Sequence, residues 1–300
     1  MSSSQKPSAT LSHMPWFIKK SIVHSTDPVS RLNLRLCSRE FNHYAQSAPT
    51  DYDNVKIWVE DGIAYFDYSI TDGSKVLWSS FQMDCSVDID HFAKLLKHKI
   101  SSIETLEISL EDSEFFLDSL VEYLQKRDTP LCVRKIVLEM AESELVPWIH
   151  RIVSQLKPGV LETINLEKIE EIHPDDMEAL GDSQQWKKAK WLEMSHMTME
   201  LPYSKWAHLK FPQLTVEDLP VEAVKDIMER FCRNPSWKEM RISHNGKFDR
   251  GISTYFRQFG LGRASFPRMI RNPLNDTETI SVQVSVTELV AHRHGIYGKY

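Results

Sequence analysis

Hydrophobic residues recur with one spacing through the middle of the chain: an apolar position is followed three and five residues later by two more. Six such triplets begin 22 to 30 residues apart: Ile103/Leu106/Ile108, Val133/Ile136/Leu138, Leu161/Ile164/Leu166, Ala189/Leu192/Met194, Phe211/Leu214/Val216 and Trp237/Met240/Ile242. Helix-period patterns lie between them, as in Val146/Ile149/Val153/Leu156 and Val221/Val224/Met228/Phe231. One strand and one helix per unit is close to the geometry of leucine-rich repeats, in which each unit buries its core by stacking on its neighbours.

An ordinary α/β sheet is the alternative structure for this region. Strand and helix alternation at this spacing also suits βαβ units, and the irregular spacing and the missing asparagine ladder keep this alternative open. Both structures lead to the same prediction about cofactors. The segments after the strands, such as EMAESEL and EKIEEIHPDD, have no glycines that would let a backbone approach phosphate, so no cofactor is expected.

The flanking segments have the two-residue period of strands. YDNVKIWVEDGIAYFDYSI alternates apolar and polar residues around a predicted hairpin turn at Glu60-Asp61-Gly62, and KVLWSSFQM adds a third strand. The two segments predict a small antiparallel meander. Near the C-terminus, Ile280, Val282, Val284 and Val286 alternate strictly and predict a closing strand that caps the repeat core.

The N-terminal segment is rich in short apolar helices. Met14, Ile18 and Ile22 form one stripe on a helix that starts at Pro15, and Asp27-Pro28 restarts a helix. The second helix has two apolar faces. One face consists of Val29, Leu32 and Leu36, and the other of Leu34, Cys37, Phe41 and Tyr44. A helix that is apolar on two sides must be covered on both, so we expect one face to meet this protein and the other to meet a partner.

These patterns predict an α/β protein: a small N-terminal helical module, a short antiparallel β meander and a leucine-rich-repeat-like strand/helix solenoid. The expected boundaries are 1–12 for a disordered tail, 13–48 for the helical module, 49–98 for the meander and a linker helix, 99–244 for the repeats and 245–300 for a C-terminal cap.

Composition and charge exclude several classes of function. The net charge of -6 gives no global attraction to nucleic acid or membrane, and no run approaches the roughly 18 uncharged apolar residues of a membrane helix. We therefore expect an intracellular protein. Four scattered cysteines and the isolated histidines predict neither a disulfide framework nor a metal site. No catalytic motif occurs, although a hydrolase site assembled from distant residues remains a weaker alternative.

One local charge pattern is an alternative binding site. Between residues 247 and 271, six basic residues are interleaved with aromatic residues, a combination that single-stranded nucleic-acid binding uses. A solvated cap whose aromatic residues pack on the last repeat is the commoner explanation. We therefore do not expect nucleic acid to be a partner.

The strand pattern predicts a better candidate surface. If the triplet positions point inward, the positions two, four and six residues after each triplet start point outward along one side. This side is mostly acidic and carries one tryptophan, so it suits a target protein with basic segments. Its candidate target-binding residues are Glu107, Glu139, Glu167, Trp191, Glu193 and Glu217.

The N-terminal residues resemble an F-box. The resemblance rests on Met14-Pro15, Ile18, Ile22, Asp27-Pro28, Ser30-Arg31-Leu32, Leu34-Arg35, Cys37 and Phe41, which match a pattern that runs from Leu-Pro through Asp-Pro to a Leu-Arg-x-x-Cys helix. It implies that a Skp-type adaptor binds Met14, Pro15, Ile18, Ile22, Pro28 and Leu32. A cullin would then be bound through this adaptor. Met14 replaces the usual leucine, and Thr26 stands where an aliphatic residue usually precedes Asp-Pro.

The rest of the chain resembles the FTH-type domain that follows the F-box in a large nematode group. The resemblance is carried by SEFFLDSLVEYLQKRDTPLCVRKIVL and WKKAKWLEMSHMTMELPYSKWAHLKFPQLTVEDLPVEAVKDIMERF. Together the two resemblances imply a non-enzymatic substrate receptor of a Skp-cullin-F-box ubiquitin ligase in the cytoplasm, the nucleus or both. A repeat-type protein-protein interaction scaffold without ligase coupling is the alternative.

Overall fold

Over the residues that can be described, the protein is a mixed α/β structure with an N-terminal helical region and two β-sheets. The computed structural model describes residues 14–26, 30–31, 34, 37–46, 48, 50–72, 75–84, 102–110, 114–140, 147–169, 172–194, 198–217, 219–248, 250–257, 268–272, 275–285 and 287–294. The tail predicted for 1–12 and the linker helix predicted before residue 98 lie outside the described residues.

Among the described residues, the N-terminal region contains α1 (Trp16–Ser25) and α2 (Arg39–Gln46), and Ser30, Arg31, Leu34 and Cys37 between them are also helical. Pro15 is the N-cap residue of α1, so the predicted start of this helix is confirmed. The inner faces of the helices meet in a small separate core of Val23, Phe41 and Ala48. The helix restart predicted at Asp27-Pro28 lies outside the described residues.

Three antiparallel strands follow: β1 (Asp51–Glu60), β2 (Ile63–Asp72) and β3 (Lys75–Asp84). Asp61 and Gly62 join β1 to β2, and both have positive φ, 51° and 73°. Two successive residues with positive φ make the type I′ turn that matches the twist of a hairpin. The predicted hairpin and meander are thereby confirmed.

The first sheet continues with parallel strands. Its elements after the meander are β4 (Ser102–Leu110), α3 (Glu114–Gln125), β5 (Cys132–Met140), α4 (Pro147–Val153), β6 (Thr163–Glu167), α5 (Pro174–Asp182), α6 (Gln184–Lys188) and β7 (Trp191–Met194). The strand order is β3-β2-β1-β4-β5-β6-β7, and β1 is parallel to β4. Strands β4 to β7 therefore lie side by side in chain order.

The hydrophobic triplets set the pairing of these strands. The second triplet positions, Leu106, Ile136, Ile164 and Leu192, lie directly beside one another across β4 to β7. The third positions, Ile108, Leu138, Leu166 and Met194, form the next row. All eight side chains are buried in the main core, as the triplet spacing predicts.

The second sheet contains the remaining strands. Its elements are β8 (Thr198–Met199), α7 (Tyr203–Trp206), β9 (Gln213–Val216), α8 (Val221–Arg233), β10 (Glu239–His244), α9 (Arg250–Arg257), β11 (Arg268–Asn272), β12 (Asn275–Val284) and β13 (Glu288–His294). The order is β11-β12-β13-β10-β9-β8, and a bridge from Trp191 to Lys210 connects the two sheets. Ile242 lies beside Leu214, so equivalent triplet positions are offset by two residues between β9 and β10.

The antiparallel C-terminal strands are fixed to α8 by a buried arginine. The Arg293 guanidinium forms an ion pair with Glu278 and donates to the carbonyls of Cys232 and Asn234 at 3.3 and 3.1 Å, where α8 ends. These carbonyls have no partner within the helix, and a cation is favourable at a helix C-terminus. The predicted closing strand corresponds to β12, in which Ile280 and Val282 are buried.

Candidate protein-interaction surfaces

The first turn of α1 presents large apolar side chains to solvent. Trp16 is 62% exposed, Phe17 is 57% exposed and Ile18 is 38% exposed, and Pro15 before them is also exposed. Trp16 and Phe17 pack edge to face, with ring centroids 6.2 Å apart. Contiguous exposed aromatic and aliphatic side chains are typical of protein-interaction sites.

Polar contacts hold the other side and the end of α1. The Lys19 ammonium donates to Glu40 of α2 at 2.6 Å, and the Tyr44 hydroxyl donates to the same carboxylate at 3.1 Å. The hydrogen bond from Lys19 is the main cause that lowers the pKa of Glu40 below its ordinary value. Arg31 donates to the carbonyls of Val23 and Thr26, at 3.0 and 2.8 Å, where α1 ends. The exposed apolar turn therefore belongs to a helix that is held in place by these hydrogen bonds and this ion pair.

The predicted adaptor-binding residues are placed unevenly in this region. Pro15 and Ile18 are exposed, whereas Met14 and Ile22 are half-buried. Pro28 and Leu32 lie outside the described residues. Trp16 and Phe17 are not among the predicted adaptor-binding residues, because that prediction rests on the apolar stripe of Met14, Ile18 and Ile22, which are four residues apart. Both residues lie beside that stripe in the first helical turn.

The outward face of β4 to β7 forms the second candidate surface. It carries Glu107, Glu139, Glu167 and Glu193, each half-buried, together with the half-buried Trp191. Glu217 follows β9 in the second sheet and is exposed, so it does not extend the row of glutamates in the first sheet. Part of this face is a concave, half-open pocket of about 430 Å³ between β1, β4, β5 and β6.

Lysines compensate much of the acidic charge on this face. Lys56 lies 3.7 Å from Glu107, Lys135 lies 2.8 Å from Glu193, and Lys168 forms an ion pair with Glu139. The surface predicted to be mostly acidic is therefore of mixed charge. Lys56 comes from β1 and Lys168 follows β6, and both lie outside the positions from which the face was predicted.

Trp191 lies at the β7 edge of the face. The Lys210 ammonium lies 5.1 Å from the centre of its ring, a cation–π contact. Burial is the main cause that lowers the pKa of Lys210, and Lys190 and Arg230 add to the shift. Because the Trp191 indole is half-buried and already contacts a cation, it forms a fixed border of the face and is not a freely exposed anchor for a partner.

The basic 247–271 segment uses aromatic side chains for packing. Phe248 and Phe256 are buried in the main core, and Tyr255 packs against it. Phe259 and Phe266 lie outside the described residues. The aromatic residues that the structure describes here are thus core residues, as the cap explanation expects, rather than exposed platforms for bases.

Two other classes of site are absent from the described part of the chain. No group of three or more His, Cys, Asp and Glu side chains in it could hold a metal ion. None of its helices is long and apolar enough to cross a membrane.

Comparison with known proteins finds two domains. The family model of the F-box domain matches residues 11–51, and the family model of the FTH domain matches residues 114–259. The first match contains α1, α2 and the exposed apolar turn, and the second runs from α3 past α9. No curated protein and no solved structure matches the chain.

Proposed function

The chain is an F-box protein with a C-terminal FTH domain, and from this premise we propose that it is a substrate receptor of a Skp-cullin-F-box ubiquitin ligase. The F-box region binds a Skp-type adaptor and through it a cullin, and the strand face binds a target protein. Such a receptor carries no catalytic residue. It raises the effective concentration of the target near the ubiquitin-loaded enzyme. Its place of action is the cytoplasm, the nucleus or both.

The observation that carries this proposal is the exposed apolar turn at Pro15, Trp16, Phe17 and Ile18. Exposed apolar area is costly in water, at about 25 cal/mol per Å². An adaptor that covers this turn removes that cost, and aromatic side chains are the commonest anchors of protein interfaces. The ion pair to Glu40 and the bonds from Arg31 hold α1 in place before binding.

The target-binding half of the proposal rests on the strand face. Strands β4 to β7 follow the chain order, and their inward rows are continuous, which supports a stack of strand–helix units like a solenoid. The outward face of such a stack is broad and rigid. We therefore assign target binding to the face that carries Glu107, Glu139, Glu167 and Glu193, bordered by Trp191, and keep Glu217 as a more distant candidate.

The test is calorimetric titration of the full-length protein with a Skp-type adaptor. Ile18→Asp and Phe17→Asp place a charge in a contact that binding desolvates, which costs several kcal/mol. Loss of about 3 kcal/mol would weaken a complex with a micromolar Kd more than a hundredfold, to a Kd on the order of 0.1 mM. Pro15→Ala should weaken binding less, because it removes only part of an apolar side chain.

Phe115→Asp is the matched control, because Phe115 is 64% exposed in the first turn of α3, outside the F-box match. It makes the same chemical change and should leave adaptor affinity unchanged. Circular dichroism should show that all the variants fold alike. Equal affinity of Ile18→Asp, Phe17→Asp and wild type would contradict the proposed surface. Absence of wild-type binding would instead favour an interaction scaffold without ligase coupling.

A further inference from the structure

The pocket on the strand face is lined by charged and amide side chains. Lys56 and Glu107 lie on its β1 and β4 side, Lys135 and Glu139 come from β5, and Asn165 and Glu167 come from β6. With three carboxylates and two ammonium groups among these six residues, its lining has a small negative excess. Both lysines lie near acids: Lys56 is close to Glu107, and Lys135 pairs with Glu193. The pocket thus leaves Glu139 and Glu167 for other cations.

Glu139 already holds an ammonium group from the chain itself. Lys168, which directly follows β6, forms an ion pair with Glu139, and its side chain is 70% exposed. Its backbone has a φ of 54°, in the left-handed region that residues other than glycine seldom adopt. Burial by itself would raise the pKa of Glu139, but hydrogen bonds from Lys168 and Ser109 and the charges of Lys168 and Lys56 hold it below its ordinary value.

Glu167 lies directly beside Glu139 in the paired strands β5 and β6. The Asn165 side-chain amide donates to its carboxylate at 2.6 Å, and Asn165 is only 6% exposed, so the carboxylate is oriented by a fixed neutral group. Within the described residues, Glu167 has no ion-pair partner. Two adjacent carboxylates repel each other, and one cation relieves only part of that repulsion.

We propose that this pocket takes a lysine or arginine side chain of the target protein, whose cationic head pairs with Glu167 and takes the place of Lys168 on Glu139. The inference deepens the proposed function and rests on it, because it names the chemistry by which the strand face selects its target. Lys168 then acts as an internal stand-in for the target cation. Its side chain is 70% exposed, so its ammonium group can leave Glu139 for solvent.

The probe is the peptide acetyl-Gly-Ser-Arg-Gly-Ser-amide, titrated into the full-length protein and followed by NMR chemical shifts. Its partner contains citrulline, which has nearly the same shape as arginine but no charge. We expect the arginine peptide to bind at least about tenfold more tightly than the citrulline peptide. Glu139→Gln combined with Glu167→Gln should lower its affinity at least about tenfold.

Lys168→Met is the sharper variant, because it removes the internal competitor and leaves both carboxylates in place. It should raise the affinity for the arginine peptide several-fold, whereas a purely structural role of Lys168 would leave the affinity unchanged or lower it. Glu104→Gln is the control. Glu104 lies on the same strand as Glu107 but pairs with Arg134 outside the pocket, so this variant should bind like wild type.

Four outcomes would overturn the inference: no binding of the arginine peptide at about 10 mM, equal binding of the citrulline peptide, equal binding by the double glutamine variant, or no gain in Lys168→Met. Adaptor titration of the same preparations separates this inference from the proposed function. Adaptor binding without peptide binding overturns the pocket alone. Peptide binding without adaptor binding leaves a basic-segment site on an interaction scaffold and overturns the ligase assignment.

Discussion

Three buried tryptophans show how single residues stabilise the main core. The indole N–H groups of Trp186, Trp206 and Trp237 donate to backbone carbonyls at 2.9, 2.9 and 2.8 Å. A buried indole N–H needs such a partner, because an unpaired polar group costs free energy away from water. Trp237 is the best of the three for a mutational test, because its ring also packs edge to face on Phe211 and Phe231.

We expect Trp237→Phe to lower the free energy of unfolding by about 1–3 kcal/mol. The substitution keeps an aromatic ring but leaves the Phe211 carbonyl without its donor and the indole volume partly empty. Urea unfolding followed by circular dichroism measures the change. Trp16→Phe is the matched control, and its exposed side chain predicts a change within about 0.5 kcal/mol. Equal effects of the two variants would contradict this assignment.

At the scale of the element, the strands depend on the difference between their inward and outward positions. Ile164 lies at the centre of the row formed by the second triplet positions, fully buried between Ile136 and Leu192. Thr163, one residue earlier, is half-buried on the outward face. Of these two neighbouring residues, Ile164 should therefore contribute much to the free energy of unfolding and Thr163 little.

We expect Ile164→Ala to lower the free energy of unfolding by about 2–5 kcal/mol, because it leaves a cavity in a close-packed row. Thr163→Ala also replaces a β-branched residue by alanine, so it lowers the strand propensity in a similar way, but it does so on the outward face. It should cost less than about 1 kcal/mol. Denaturant midpoints of the two variants give the comparison. A cost for Thr163→Ala as large as that of Ile164→Ala would show that the inward and outward assignments of β6 are wrong.

The elements also show how far the sequence could predict the structure. Triplet spacing gave the inward residues of β4 to β7, and Asp61-Gly62 gave the hairpin, because both depend on local chain geometry. The offset between β9 and β10 could not be predicted, since spacing within a strand does not determine its pairing with a neighbour. Lys56 and Lys168 could not be predicted for a similar reason. Lys56 reaches the face because β1 pairs with β4 beside Glu107, and Lys168 reaches it through its own backbone conformation with positive φ; neither position belongs to a triplet.

At the scale of the whole molecule, the two candidate surfaces come from different elements. The exposed apolar turn belongs to α1, whose small core of Val23, Phe41 and Ala48 is separate from the main core. The strand face belongs to the first sheet and is polar. Because one surface is apolar and the other is charged, they suit partners of different chemistry, as a receptor that joins an adaptor to a target requires.

Hydrogen–deuterium exchange with and without a Skp-type adaptor tests this division most directly, because it reports on both surfaces in one experiment. Covering the apolar turn should slow exchange of the amides of α1, and the amides of β4 to β7 should exchange as they do in the free protein. Slower exchange in β4 to β7 with α1 unchanged would contradict the account, since the adaptor would then occupy the surface assigned to the target.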